Sequence, residues 1–177
     1  MRTWLSLTAR WTVAAVLAGL GVGLVDAAGL AAAVVLLPGL ALGLGQRLAA
    51  PRRLPPIWTL FSGLAWIAGA LLDTVVEIRP PGAGAWLIPT ATMAIWQLFL
   101  LNRPGRAWPW LPVSMLGAFA LQTSAQGACL LACAPLAAAF GPGAATVWTF
   151  AVGFLGYGIV TGAALPWLAR PADATPR

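Results

Sequence analysis

Three acidic side chains lie near the ends of apolar segments and are the residues best placed to bind a cation or relay protons. Asp73 and Glu77 are four residues apart, so a helix would carry both on one face. Asp26 ends the first apolar segment much as Asp73 ends the third. An ionisable side chain within a membrane segment is costly there, so we interpret it first as part of a functional site. The competing interpretation, favoured by the position near the ends, is a solvated acidic rim partly neutralised by Arg79.

Two glutamines are the other conspicuous polar side chains in apolar segments. Gln46 and Gln97 stand near the ends of the second and fourth segments. Amides in such places hydrogen-bond across helices, so we predict interhelical contacts rather than substrate ligands.

The two cysteines are four residues apart and could share a helical face. Cys129 and Cys133 lack the C-x-x-C spacing of a thioredoxin-like redox motif. We interpret them as two small buried apolar side chains. Redox or metal chemistry is the alternative.

Residue types that usually support catalysis are missing. The chain has no histidine and no lysine, which removes the usual haem and zinc ligand, the Schiff-base amine and the general base of a Ser-His site. No nucleophile–base pair, metal-ligand cluster or phosphate-binding glycine loop stands out. We therefore expect no catalytic site, no metal and no cofactor.

The composition is that of a membrane protein. Of 177 residues, 60% are apolar and 8% are charged, whereas globular domains carry about 25% charged residues. So few charged side chains cannot cover the surface of a soluble protein. The surface must face lipid.

Turn-forming and charged residues divide the chain into six apolar segments, each near the length needed to cross a bilayer. Their approximate ranges are 11–25, 30–48, 57–76, 85–101, 110–131 and 144–168. Residues 132–143 are expected to connect the last two, and residues 170–177 to form a short polar tail. The sequence thus predicts an all-α bundle of six transmembrane helices in a single domain over residues 1–169.

The arginines orient this bundle. Nine of the ten precede the first segment, follow the last, or lie between segments two and three or four and five; only Arg79 lies on the other side. By the positive-inside rule both termini are cytoplasmic, in a bacterial inner membrane. The arginines stand singly or in pairs, which fits anionic lipid headgroups rather than nucleic acid. As an alternative, residues 1–27 resemble a cleaved signal peptide.

Weak internal repeats argue that the first segment belongs to the bundle. Gln46 and Gln97 match at an offset of 51, and Trp11 and Trp58 at an offset of 47. Two-helix units repeating in one orientation are related by an axis along the membrane normal. We therefore predict three tandem helical hairpins.

Tryptophan is abundant, with ten residues. Those near segment ends are typical of an interfacial aromatic belt, and the three deeper ones of core packing. The residues near the ends are Trp4, Trp11, Trp58, Trp86, Trp108, Trp110 and Trp167.

Several short motifs are similar to small tryptophan- and glycine-rich bacterial membrane proteins with repeated G-L-x-Q-W-x-x-L-R helix ends. They are Gly45-Gln46-Arg47-Leu48, the stretch 63–69 and the stretch 156–162. Arg47 stands where the pattern has tryptophan. The family has no assigned activity, so the resemblance implies a polytopic membrane protein and no catalytic residues.

Three classes of function are compatible with these features. An accessory or structural membrane component, with a membrane-protein partner or as a homo-oligomer, explains the short loops and the lack of chemistry. A small transporter or channel for a small solute or cation is the alternative, supported by the repeats, by Asp73 and by the repeat-related Pro38 and Pro89. A membrane enzyme is the least favoured.

The predicted topology is tested by reporter fusions after Arg53, Arg106 and Arg170. All three reporters should be cytoplasmic, because each follows a segment that returns the chain to the arginine-rich side. A periplasmic signal at any one of them contradicts the predicted topology.

Overall fold

The computed structural model describes residues 2–50, 54–75, 86–101 and 108–168. These residues form six α-helices and no strand, which confirms the predicted all-helical class. Glu77, Arg79 and the tail 170–177 lie outside the described residues. The helices are α1 (Arg2–Ala27), α2 (Ala31–Ala49), α3 (Trp58–Val75), α4 (Leu87–Leu100), α5 (Trp110–Phe140) and α6 (Pro142–Leu168).

Four of the six helices, α1, α3, α5 and α6, are long and apolar enough to cross a membrane, while α2 and α4 are apolar but shorter. Large apolar side chains such as Leu17, Leu71 and Phe99 are exposed on the outside of the bundle. A soluble protein rarely exposes apolar surface on this scale. Helix length and surface together indicate a membrane protein.

The helices form a closed ring. Each helix packs against its neighbours in the chain, and α6 returns to pack on α1 about as extensively as it packs on α5. Among the described residues, these neighbour pairs account for the extensive helix–helix contacts. The ring therefore surrounds an interior to which every helix can contribute side chains.

Glycines allow the close approaches on which the ring depends. A Cβ atom on Gly19 of α1 would lie 2.7 Å from the carbonyl oxygen of Phe150 on α6, and one on Gly43 of α2 would lie 2.6 Å from Ser62 Cβ on α3. In lipid, helices associate through close van der Waals packing rather than through the hydrophobic effect. Small residues at the crossing points are what make that packing possible.

The expected connector over residues 132–143 is largely helical, because α5 continues to Phe140 and only Gly141 separates it from α6. Alanine, the strongest helix former, occupies five of the nine residues 132–140, and the helix continues through Pro135. The helix ends where Gly141 takes a φ of +88°, a conformation that glycine adopts without steric cost. At 31 residues, α5 is about 47 Å long, which exceeds the hydrocarbon core of about 30 Å.

Two glycines on α1 provide a matched test of this packing. We expect Gly19→Ala to lower stability by about 1–3 kcal/mol, because the added methyl group overlaps the α6 backbone. Gly21→Ala should be neutral or slightly stabilising, because a Cβ there meets nothing within 4 Å. Unfolding midpoints in mixed detergent micelles measure both changes. Equal midpoints for the two variants would contradict the α1–α6 packing.

Candidate functional site

Three tryptophans on the odd-numbered helices donate their indole N–H groups into the interior of the ring. Each acceptor is a polar side chain on the even-numbered helix that comes before the donor's helix around the ring. The pairs are Trp58 with Gln46 Oε1, Trp110 with Gln97 Oε1 and Trp11 with Thr161 Oγ1, at N···O distances of 2.9, 2.8 and 2.9 Å. The third pair joins α1 to α6, the first helix of the chain to the last.

These tryptophans do not form the interfacial belt expected for residues near segment ends. Trp11, Trp58 and Trp110 are each 1% exposed, and the rings of Trp11 and Trp110 meet edge to face with centroids 5.9 Å apart. An indole suits an interface because it combines an apolar body with one donor. Here the polar interior offers that donor a partner, so the rings turn inward. Trp108, by contrast, is 64% exposed.

The two glutamines lie together at the centre of the network. Gln97 Nε2 donates to Gln46 Oε1 at 3.1 Å and to Ser62 Oγ at 2.7 Å. The Ser62 hydroxyl in turn donates to the Trp58 carbonyl oxygen at 2.8 Å. The Gln97 side chain therefore links α4 to α2, α3 and α5 while being completely buried.

The network forms a polar layer between two apolar clusters. On α3, Trp58, Ser62 and Trp66 occupy one face in successive turns. Trp58 belongs to a cluster near the ends of the helices, and Trp66 belongs to a deeper cluster that includes Phe154. On α5, Ser114 likewise lies one turn inside Trp110. We refer to Gln46, Ser62, Gln97, Ser114, Tyr157 and Thr161 as the polar layer.

Within the described residues, four buried polar groups lack a hydrogen-bond partner, and three of them belong to this layer. They are Gln46 Nε2, Ser114 Oγ, the Tyr157 hydroxyl and Thr90 Oγ1. The Tyr157 hydroxyl lies next to the side chains of Ser114 and Gln46. Thr90 is two turns from Gln97 on the same face of α4.

Unpartnered buried polar groups are uncommon in native proteins, and each costs about 1–3 kcal/mol. Three of the four groups converge near the Gln46–Gln97 contact. Something that supplies hydrogen bonds, either water or a solute, would remove that cost. This makes the polar layer the candidate functional site.

Asp26 and Asp73, two of the three residues of the predicted acidic site, lie outside the polar layer. Asp73 is buried, at 8% exposed, and stands close to the end of α3. Asp26 is half-buried and lines a cavity of about 540 Å³ together with Cys129 and Cys133. Glu77 lies outside the described residues. Asp73 is about three turns from Ser62 on α3, well away from the polar layer.

The interpretation of the cysteines as two small buried side chains is wrong. Cys129 and Cys133 are joined by a disulfide, and Cys129 is exposed. Their spacing of four residues brings both sulfur atoms to one face of α5. The neighbouring Leu130 and Leu131 are also highly exposed, because this part of α5 projects away from the interior of the ring.

Within the described residues, no group of three histidine, cysteine, aspartate or glutamate side chains could hold a metal ion. No protein-family model, curated protein or solved structure matches this chain. The fold and the site define an all-helical protein in which helices long and apolar enough to cross a membrane surround a polar layer.

The tryptophans at the start of α5 test the network. Trp110→Phe removes the donor to Gln97 and leaves a buried acceptor unpaired, so we expect a loss of about 1–2 kcal/mol. Trp108→Phe makes the same chemical change at an exposed ring and should have little effect. Thermal unfolding in detergent measures both variants. If Trp108→Phe destabilises the protein as much as Trp110→Phe, the hydrogen bond is not responsible.

Proposed function

We propose that this protein takes a small, polar, uncharged solute into the polar layer, as a small transporter of the bacterial inner membrane. The observation that carries the proposal is the convergence in this layer of three buried hydrogen-bonding groups without partners, on Gln46, Ser114 and Tyr157. A bound solute would satisfy groups that are otherwise costly to bury. Binding inside a helical bundle, between repeated units, is also how many transporters hold their substrates.

We further propose that the chain crosses the membrane six times, as three tandem hairpins with cytoplasmic termini. The three indole hydrogen bonds support the hairpins, because the same kind of bond recurs at each of the three junctions between one helix pair and the next around the ring. The arginine distribution supports the orientation. The disulfide on α5 agrees with it, because this end of the bundle would face the oxidising periplasm.

The chemistry of the lining selects an uncharged solute. The polar layer offers amide and hydroxyl groups, and none of its six side chains is ionised. A desolvated ion would lack a counter-charge there, which is costly. Gln46 Nε2 can only donate, whereas the hydroxyls of Ser114 and Tyr157 can donate or accept. A small amide, urea or alcohol, with a carbonyl or hydroxyl oxygen for Gln46, matches this set.

An accessory role in a larger membrane complex is the second candidate. It is supported by the projecting part of α5, where Leu130 and Leu131 are 89% and 85% exposed. A partner helix could bury this face. Copurification of a stoichiometric membrane protein in mild detergent would favour this role, and loss of that partner from Leu130→Ser/Leu131→Ser would localise the contact.

Transport requires that the polar layer opens to water, and cysteine labelling tests this. In a Cys129→Ser/Cys133→Ser background reconstituted in vesicles, we expect Ser114→Cys to react slowly with a small, charged methanethiosulfonate. Ala118→Cys, one turn deeper and equally buried in an apolar environment, is the control and should not react. If Ser114→Cys stays as unreactive as the control from both sides, the layer is permanently closed and transport is rejected.

A further inference from the structure

A groove of about 590 Å³ runs along the outer surface between α1 and α2. Its floor is made of small residues spaced one turn apart on each helix, Ala14 and Ala18 on α1 and Ala41 and Gly45 on α2. The exposed side chains of Leu17 and Leu44 form its edges. The volume lies within the range of about 300–1,000 Å³ that is usual for ligand pockets.

The shape of the groove arises from close packing beneath it. A Cβ atom on Gly45 would lie 3.1 Å from Ala14 Cβ, so the two helix backbones approach closely at this point. Small side chains on the floor and large ones on the edges leave a concave apolar strip. From Arg10 to Ala18 the strip extends about 12 Å along α1. An extended hydrocarbon chain fits such a strip better than a compact solute does.

Among the described residues that line the groove, Arg10 is the charged one. Arg10 is exposed and stands at its end nearest the start of α1, where a long side chain can lie along apolar surface and keep its guanidinium in the headgroup region. The Arg47 guanidinium on α2 instead donates a hydrogen bond to the Leu54 carbonyl oxygen at 3.0 Å. Arg10 is therefore the lining residue suited to bind a phosphate.

We infer that this groove binds one anionic phospholipid, with an acyl chain along the α1–α2 strip and the phosphate on Arg10. Two features of the groove select this occupant: an apolar strip that ends at a cation, and a position on a surface that faces lipid. Basic pockets between transmembrane helices bind anionic headgroups in this manner. The site is separate from the polar layer and does not depend on the proposed transport.

Native mass spectrometry of the detergent-purified protein, with added phosphatidylglycerol or with phosphatidylcholine of the same chains, tests the inference. We expect one phosphatidylglycerol to bind to the wild type about fivefold more tightly than phosphatidylcholine, since one arginine near a headgroup contributes about 1 kcal/mol. Arg10→Gln should abolish this preference, and Arg10→Lys should keep most of it.

A second variant separates the acyl chain from the headgroup. Val13 is exposed and lines the groove, so Val13→Trp should fill the strip without entering the core and should weaken both lipids. Equal binding of the two lipids to the wild type, or unchanged binding by Arg10→Gln and Val13→Trp, overturns the inference. A lipid-free dimer that Val13→Trp dissociates would also overturn it, by showing that a second copy covers the groove.

Discussion

A polar side chain inside a membrane-crossing bundle must find its hydrogen-bond partner within the protein, because hydrocarbon offers none. In this protein the constraint is met by three indole N–H groups that bind Gln46, Gln97 and Thr161. An interhelical hydrogen bond in a membrane is worth about 0.6 kcal/mol on average, so the three bonds matter less for their summed energy than for their direction. They determine which face of each helix turns inward.

The remainder of the packing is consistent with that orientation. Once the indole and amide groups face the interior, the exposed leucine and phenylalanine side chains lie on the outside of the bundle, and glycine and alanine are left at the helix contacts. The polar layer then has apolar neighbours on both sides, in the clusters around Trp58 and Trp66. A layer closed in this way protects its hydrogen bonds from water. For the same reason its unpartnered groups are costly, and this cost is the basis of the proposed solute binding.

Sequence patterns predicted the helical class from composition, and they placed Gln46 and Gln97 at equivalent depths because the two residues match at an offset of 51. The inward turn of the tryptophans was not predictable, because an indole near a helix end suits an interface as well as a polar interior. Thr161 gave no signal, since it stands in the last pair of apolar segments, where the sequence repeat is weakest. Burial of Asp73 depends on neighbouring helices, which spacing along one helix does not reveal.

The most direct test of this account is hydrogen–deuterium exchange of the indole N–H groups, followed by NMR of the protein in lipid nanodiscs. The resonances are assigned by single Trp→Phe variants. Trp11, Trp58 and Trp110 should retain their indole protons far longer than the exposed Trp108, because their donors are bonded inside a layer closed to water. Exchange of all three at the rate of Trp108 would show that the layer is open or that the hydrogen bonds are absent, and would contradict the central claim.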